Sequence, residues 1–203
     1  MKIICIGRNY SEHARELKNE IPDKPVIFMK PDTALLPQKQ PFFVPSFSND
    51  VHHEAEIVIR INRVGKKIEQ RFAHKYYEEL TLGIDFTARD LQTELKQKGL
   101  PWETAKGFDG SAPLGEFISK TQFPSVQEIE FSLSKNGETV QVGNTSQMIF
   151  SIDYIIHYVS QFFTLKIGDL IFTGTPAGVG KVNIGDHLEG FIGAQKVLDC
   201  KVK

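Results

Sequence analysis

Cysteine is almost missing from this chain: two thiols, Cys5 and Cys200, in 203 residues. They lie near opposite ends in apolar segments. A disulfide joining terminal strands is open from that placement, but reduced core thiols fit a chain that shows no secretion signal. Long apolar runs are missing too. None approaches the ~20 residues needed to span a bilayer, and Ile3-Ile4-Cys5-Ile6 is too short for a signal-peptide core, so the expected compartment is the cytoplasm. There is no excess of charge of either sign: 24 Lys and Arg stand against 25 Asp and Glu, a net charge of −1. That balance gives no electrostatic reason to expect nucleic acid or an anionic membrane as partner. Repeats, linkers and low-complexity segments are absent as well. What is present is an ordinary globular composition, 40% hydrophobic and 24% charged. A chain of this length is expected to form one domain, residues 1–203, that buries about 70% of its unfolded surface.

The most informative stretch is His52-His53-Glu54-Ala55-Glu56-Ile57-Val58-Ile59-Arg60-Ile61. Its alternation predicts one strand with an apolar face and a polar face. Glu54 and Glu56 then share a side, with Cα atoms roughly 6.6 Å apart. Two carboxylates on the wet face of a half-buried strand are ordinary, so the pair alone leaves a solvated face and a metal site both open. Asp85, in Leu82-Gly83-Ile84-Asp85-Phe86-Thr87, is the candidate third member. Three ionised carboxylates ~5 Å apart would repel by about 3 kcal/mol per pair at an effective dielectric of ~20. A divalent cation removes that conflict, and an all-oxygen shell suits Mg²⁺ or Mn²⁺, and Ca²⁺ less specifically.

Elsewhere, residues 3–6 read as a buried strand, and Ser11 as the N-cap of a helix over roughly Glu12 to Asn19. His13 and Glu16 stand three apart on that helix and so meet on one face. A carboxylate beside an imidazole suits a general base, although such pairs are also common on exposed helices. Val26–Met29 and Phe42–Val44 read as strands. Lys30 reads as a charged strand end that could also face an anionic ligand. Residues 73–80 look helical. Thr87 with Asp90 suggests a capping box for a helix whose buried stripe is Leu91 and Leu95, stopped by Gly99 and Pro101. Arg89 and Gln92 on its first turns could point back toward Asp85. Lys106 and Asp109 lie in a turn-rich loop, either as surface charges or as partners of the acidic site. Asn136-Gly137 predicts a hairpin. Ile152 to Phe163 predicts a helix packed on the core, with no cofactor. Two Ile-Gly-Asp turns, at 167–169 and 184–186, each lead into a strand. Phe172 to Lys181 is glycine-rich, but its spacing fits no phosphate loop: five residues separate Gly174 from Gly180, and Val182 follows Lys181. Its glycines would let backbone amides approach a ligand, with Thr175 adding a hydroxyl.

These pieces together resemble the fumarylacetoacetate hydrolase family. The motifs are Gly7-Arg8-Asn9-Tyr10 with His13 and Glu16, His53-Glu54-Ala55-Glu56, and Ile84-Asp85-Phe86-Thr87-Ala88-Arg89-Asp90-Leu91-Gln92. They continue with Gly99-Leu100-Pro101-Trp102, Lys106-Gly107-Phe108-Asp109 and Thr173-Gly174-Thr175-Pro176-Ala177-Gly178-Val179-Gly180. They run in order over nearly the whole chain and match most closely the short, single-domain branch of acylpyruvate hydrolases and oxaloacetate decarboxylases. The chain has no room for the extra N-terminal domain of larger members. It also departs from the family's pattern after Asp109, at Gly110 to Glu116.

The resemblance implies an α+β, β-rich fold, a mixed β-sandwich roll with a few short helices, usually assembled as a homodimer. It implies Glu54, Glu56 and Asp85 as ligands of Mg²⁺ or Mn²⁺, and Arg89, Gln92, Lys106, Thr175 and Lys30 at substrate. His13 and Glu16 fall on a lid helix, with His13, Glu16 and Lys106 catalytic. The activity implied is metal-dependent cleavage of a C–C bond in a small 2-oxo acid, leaving pyruvate as its enolate: acylpyruvate or fumarylpyruvate hydrolysis, oxaloacetate decarboxylation, or both. The alternatives are isomerisation, tautomerisation or hydration of hydroxydienoic acids or oxaloacetate in aromatic catabolism, and a non-catalytic metal-binding module.

Overall fold

A strand order that repeatedly leaves and re-enters the same sheets brings distant parts of the chain to one place. The computed structural model describes residues 1–16 and 20–203. In chain order its elements are β1 (Ile3–Gly7), α1 (Ser11–Glu16), β2 (Val26–Lys30), β3 (Val51–His53), β4 (Ala55–Ile61), β5 (Tyr77–Ile84) and β6 (Thr87–Ala88). They continue as α2 (Arg89–Gln97), α3 (Glu103–Lys106), β7 (Ile118–Ser119), β8 (Glu130–Lys135), β9 (Glu138–Asn144) and α4 (Ile152–Phe162). The last four are β10 (Leu170–Phe172), β11 (Gly180–Lys181), β12 (His187–Ile192) and β13 (Gln195–Lys201).

A six-stranded sheet in the order β2-β1-β10-β4-β5-β7 packs against a four-stranded sheet, β13-β12-β8-β9, and a small third sheet, β11-β3-β6, stands beside them. β1 and β10 run parallel, whereas their neighbours are antiparallel. The result is the β-rich mixed sandwich the sequence led us to expect. Ile57, Ile59 and Ile61 of β4 join Leu80, Leu82, Phe131, Leu133, Leu188 and Leu198 in the layer between the two larger sheets. Fully burying each such side chain contributes roughly 1.5–3 kcal/mol. The sheets approach so closely that a Cβ on Gly190 would come within 2.4 Å of Leu82.

Several local expectations need correction. The stretch from Val51 to Ile61 is two strands, not one. β3 pairs with β11 and β6, β4 pairs with β10 and β5, and Glu54 occupies the break. Neither face of β4 is wet: only Arg60 is less than buried. One face carries the sandwich core, while Val58 on the other packs with Ile3, Cys5, Phe28 and Phe172. The alternation therefore separates core from a lined interior, not core from solvent. Residues 73–80 are not a helix. A 3-10 turn covers Gln70–Lys75, and Tyr77 already belongs to β5, where pairing with β4 decides the conformation. Phe42–Val44 makes only a bridge to Val202. Thr87 does not cap α2. Its hydroxyl donates to Asp85 O at 3.2 Å, and Asp90 instead accepts from Ser48 Oγ and Asn49 N. Leu91 and Leu95 are only half-buried, and Gln92 is the buried residue of α2.

The other turns form as their chemistry requires. Asn136 and Gly137 both take positive φ, 56° and 85°, as the two-residue hairpin demands. α4 begins at Ser151, whose hydroxyl accepts from Tyr154 N, and buries Ile152, Ile155, Ile156 and Val159. α1 ends its described part at Glu16, so the expected helix over 17–19 lies outside the described residues. Both cysteines are free and buried. Among the described residues no helix is long and apolar enough to cross a membrane.

Candidate metal centre

The acidic residues sit where strands break. Glu54 lies between β3 and β4, Asp85 between β5 and β6, and a backbone bond from Asp85 N to Glu54 O (2.8 Å) ties the two breaks together. Glu56, two residues further along β4, accepts from Gly174 N at 2.7 Å. All three carboxylates are buried, at 5%, 2% and 0% exposure for Glu54, Glu56 and Asp85. One oxygen from each lies within 4.8 Å of the others.

Three cations face them. Lys106 Nζ donates to Glu54 Oε2 (2.8 Å) and Asp85 Oδ2 (2.6 Å). Arg89 Nη2 pairs with Glu54 Oε1, and Lys30 Nζ with Asp85 Oδ1 at 2.8 Å. Burial works to raise the Glu54 pKa, but the charges of Lys106, Arg89 and His13 overcome it and hold this carboxyl well below its ordinary range. Glu56 goes the other way: burial, then the charges of Asp85 and Glu54, push it well above that range. Burial opposes the ammonium form of Lys106, yet Asp85 and Glu54 outweigh it and raise its pKa. The environment thus favours the charge on Glu54 and leaves the one on Glu56 short of compensation. A small hard cation suits that shortfall: the donor set is all oxygen, buried and within one ion's reach, which fits Mg²⁺ or Mn²⁺, and Ca²⁺ less specifically.

His13, Arg89, Gln92, Lys106 and Thr175 all line the cavity that opens onto these carboxylates. Arg89 Nη1 also donates to Gln92 Oε1, which holds both α2 side chains on the cavity side. His13 is 5% exposed, and its Nδ1 meets Glu16 Oε2 at 3.1 Å. Glu16 does not line the cavity. Its other oxygen accepts from Gly178 N at 3.1 Å and fastens α1 to the glycine-rich loop.

Lys30 is placed differently from the expectation of a residue facing an anionic ligand. Its ammonium is fully buried behind Asp85, donates to Lys106 O, Ser111 O (3.1 Å) and Ser111 Oγ (2.9 Å), and does not line the cavity. That is also where the Gly110–Glu116 departure finds a structural use, because Ser111 helps seat this lysine. Thr175 Oγ1 is likewise engaged, donating to Ala55 O (2.9 Å) and accepting from Gln141 Nε2 (2.9 Å). The amides of Gly174 and Gly178 bond Glu56 and Glu16, not an outside ligand. Gly174, at φ +102°, has no room for a side chain: a Cβ there would meet Asn9 Cβ at 2.6 Å.

Two supports escaped the sequence reading. Gln141 Oε1 accepts from Ala55 N (3.0 Å) and faces His53 Nδ1 (2.9 Å), while its Nε2 donates to Thr175 Oγ1 and Pro176 O. Asn9 Nδ2 donates to Thr173 O (2.7 Å) and Phe150 O (3.0 Å). Asn9 stood within the Gly7–Tyr10 motif, which was its only signal. Gln141 had none.

A buried carboxylate trio framed by cations thus lies at the floor of a cavity in a β-sandwich. The chain belongs to the fumarylacetoacetate hydrolase family: the profile of the fumarylacetoacetate hydrolase C-terminal domain matches residues 2–203. It is 43% identical over 201 residues to the mitochondrial oxaloacetate tautomerase of Bos taurus, covering 99% of this chain and 90% of that protein. It is 44% identical over 189 residues to the mitochondrial oxaloacetate decarboxylase of Dictyostelium discoideum, covering 93% and 87%. The fumarylpyruvate hydrolase of Pseudomonas aeruginosa, solved with Mn²⁺ and pyruvate, superposes with a TM-score of 0.93 at 35% identity, covering 100% of this chain and 89% of that one.

Proposed function

We propose that this chain is a divalent-metal-dependent enzyme that breaks a C–C bond in small 2-oxo acids, by acylpyruvate or fumarylpyruvate hydrolysis or oxaloacetate decarboxylation. The observation that carries the reading is the trio Glu54, Glu56 and Asp85, with oxygens within 4.8 Å of one another and Lys106 against two of them. Those three residues would hold Mg²⁺ or Mn²⁺. Such an ion supplies Lewis acidity toward the carboxylate and keto oxygens of a bound 2-oxo acid.

The chain's own groups account for the rest. Lys106, fixed by Glu54 and Asp85, places a positive charge where negative charge develops as pyruvate leaves as its enolate. Arg89 and Gln92, braced on each other, orient the substrate. For an acylpyruvate, His13 takes a proton from the attacking water through its cavity-facing imidazole, and Glu16 steadies the ring through Nδ1. For oxaloacetate, loss of CO₂ gives the same enolate with no water attack. A second reading is enol–keto tautomerisation, in which a proton leaves C3 and returns through the enolate of the intact substrate with no C–C bond broken, and the tautomerase relative favours it. Residues 1–203 act in this reading as one catalytic domain, paired as a homodimer that sedimentation would detect.

The test is a side-by-side assay of the Mn²⁺-reconstituted protein on acetylpyruvate, fumarylpyruvate, oxaloacetate and a hydroxydienoate. Cleavage of at least one of the first three supports the proposal. Turnover only of enol–keto exchange or of the dienoate moves the chain to the isomerase class. No turnover on any of them, with the metal bound, makes it a non-catalytic module.

A further inference from the structure

Lys106 is gripped at both ends by one strand. Phe28 and Lys30 stand two apart on β2 and so share a face, on which both are buried. Lys30 Nζ donates to the carbonyl of Lys106 and pairs with Asp85 Oδ1 at 2.8 Å. The Phe28 ring meets the other end: its centroid lies 5.1 Å from Lys106 Nζ, within the reach of a cation over an aromatic face. Trp102 braces the arrangement twice. Its ring centroid is 5.9 Å from that of Phe28, and its carbonyl accepts from Lys106 N at 3.0 Å across α3. Phe28, Trp102 and Lys106 all line the cavity that opens onto the carboxylates. An ammonium carries three N–H donors, and Lys106 directs two of them to Glu54 and Asp85.

We propose that Phe28 is a positioning residue for the reaction, whose π face holds the Lys106 ammonium in place when Glu54 and Asp85 are engaged with a metal ion. The inference rests on the function proposed above, in which those carboxylates hold the ion and Lys106 meets the developing enolate. Glu54 and Asp85 cannot give their full charge to two cations at once. As their charge goes to a divalent ion, their pull on Lys106 weakens, and the two positive groups repel each other. The face of Phe28 is untouched by that exchange. Its quadrupole presents negative potential to the ammonium, yet the ring has no net charge, does not titrate and cannot ligate a hard ion. An aliphatic side chain of similar volume would fill the same space and offer the ammonium nothing. A carboxylate in its place would add a fourth charge that competes for the ion. Burial of the pair makes the ring's attraction count, because no water screens it.

Graded fluorination of the Phe28 ring tests this, because successive fluorines drain the π face while nearly preserving the ring's shape and apolar character. Phenylalanines carrying one, two and three ring fluorines are placed at position 28. Calorimetry at saturating Mn²⁺ then reads the affinity for oxalate, a planar dianion shaped like the pyruvate enolate, without relying on turnover. Affinity is expected to fall stepwise along the series, by about tenfold in all. In a Lys106→Met chain the same series is expected to show no slope. A flat or rising series with Lys106 present overturns the assignment, and so does a slope that persists in Lys106→Met. In those cases the C–C cleavage reading still stands on its own assay. If oxalate does not bind the Mn²⁺-loaded wild type, the reading of the centre fails and the role of Phe28 falls with it.

Discussion

Replacing Glu56 by Gln should change stability in opposite senses with and without metal. The Gln side chain keeps the shape and an acceptor oxygen for Gly174 N, now at 2.7 Å from Glu56 Oε2, so packing is nearly unaltered. What changes is charge. Oxygens of the three carboxylates lie within 4.8 Å of one another, so each like-charged pair costs about 3 kcal/mol at an effective dielectric of ~20. Two such pairs involve residue 56, and Lys106, Lys30 and Arg89 already offset part of that cost through Glu54 and Asp85. In chelator, Glu56→Gln should therefore melt at or above the wild-type temperature. A ligand present at 100 times its dissociation constant stabilises by about 2.7 kcal/mol. For a chain of this length that corresponds to a rise of roughly 6 °C. Wild type should show that rise when Mn²⁺ replaces chelator, and the variant should lose most of it. Differential scanning fluorimetry across a Mn²⁺ titration reads both. A variant several degrees less stable in chelator, or one with the wild-type Mn²⁺ shift, would refute the placement of Glu56 in a shared cation site.

Three other perturbations probe the site and its supports. His13→Ala should lower acetylpyruvate hydrolysis by about 10²–10⁴-fold, the range for a lost general base. Oxaloacetate decarboxylation should fall much less, and equal losses in steady-state assays of the two would remove the water-activating role. Gln141→Leu leaves Ala55 N and Pro176 O without their side-chain partner, at roughly 1–3 kcal/mol for each buried group. Because Ala55 lies between Glu54 and Glu56, Mn²⁺ affinity should drop with stability, and a variant with intact melting and intact Mn²⁺ titration would contradict this. Asp169 accepts from Lys2 N and Lys166 N, both at 2.8 Å, and pairs with the Lys2 ammonium. Burial alone would raise its pKa, but these bonds lower it below the ordinary carboxylate value. A depressed folded-state pKa stabilises above the unfolded value, ~3.9, and that contribution fades as pH falls toward the folded one. Asp169→Asn should thus cost about 1–3 kcal/mol at pH 7 in urea melts, with the gap from wild type shrinking below about pH 4.

The parts of the site legible in the sequence are those set by local periodicity. Glu54 and Glu56 are two residues apart in an alternating run, and Asp85 follows a second apolar run, although Glu54 stands at the break before β4 and is held there by the backbone bond from Asp85 N. His13 and Glu16 were legible for the same reason on a helix. The sandwich itself was less so, because its sheet order follows from pairings such as Ile3 with Leu170, which no local pattern encodes. Where the reading went astray, a long-range contact overruled a local signal. Residues 77–80 have helical neighbours but are captured by β4. Thr87 and Asp90 have the spacing of a capping box, yet Ser48 and Asn49 claim Asp90 first.

Lys30 shows the limit most clearly. At the end of an apolar strand it reads as an exposed charge, and only the burial of Asp85 explains why an ammonium is tolerated at 2% exposure. A buried carboxylate and a buried lysine are each costly alone, and each is acceptable because the other is present. Gln141 follows the same rule with a neutral group: an unremarkable strand residue becomes a support when His53, 88 positions away, and the backbone at Ala55 close around its amide. The proposed reacting groups of this cavity are thus marked by short-range spacing. The groups that hold them are chosen by what the fold buries beside them, and a single sequence carries that information only once the fold is known.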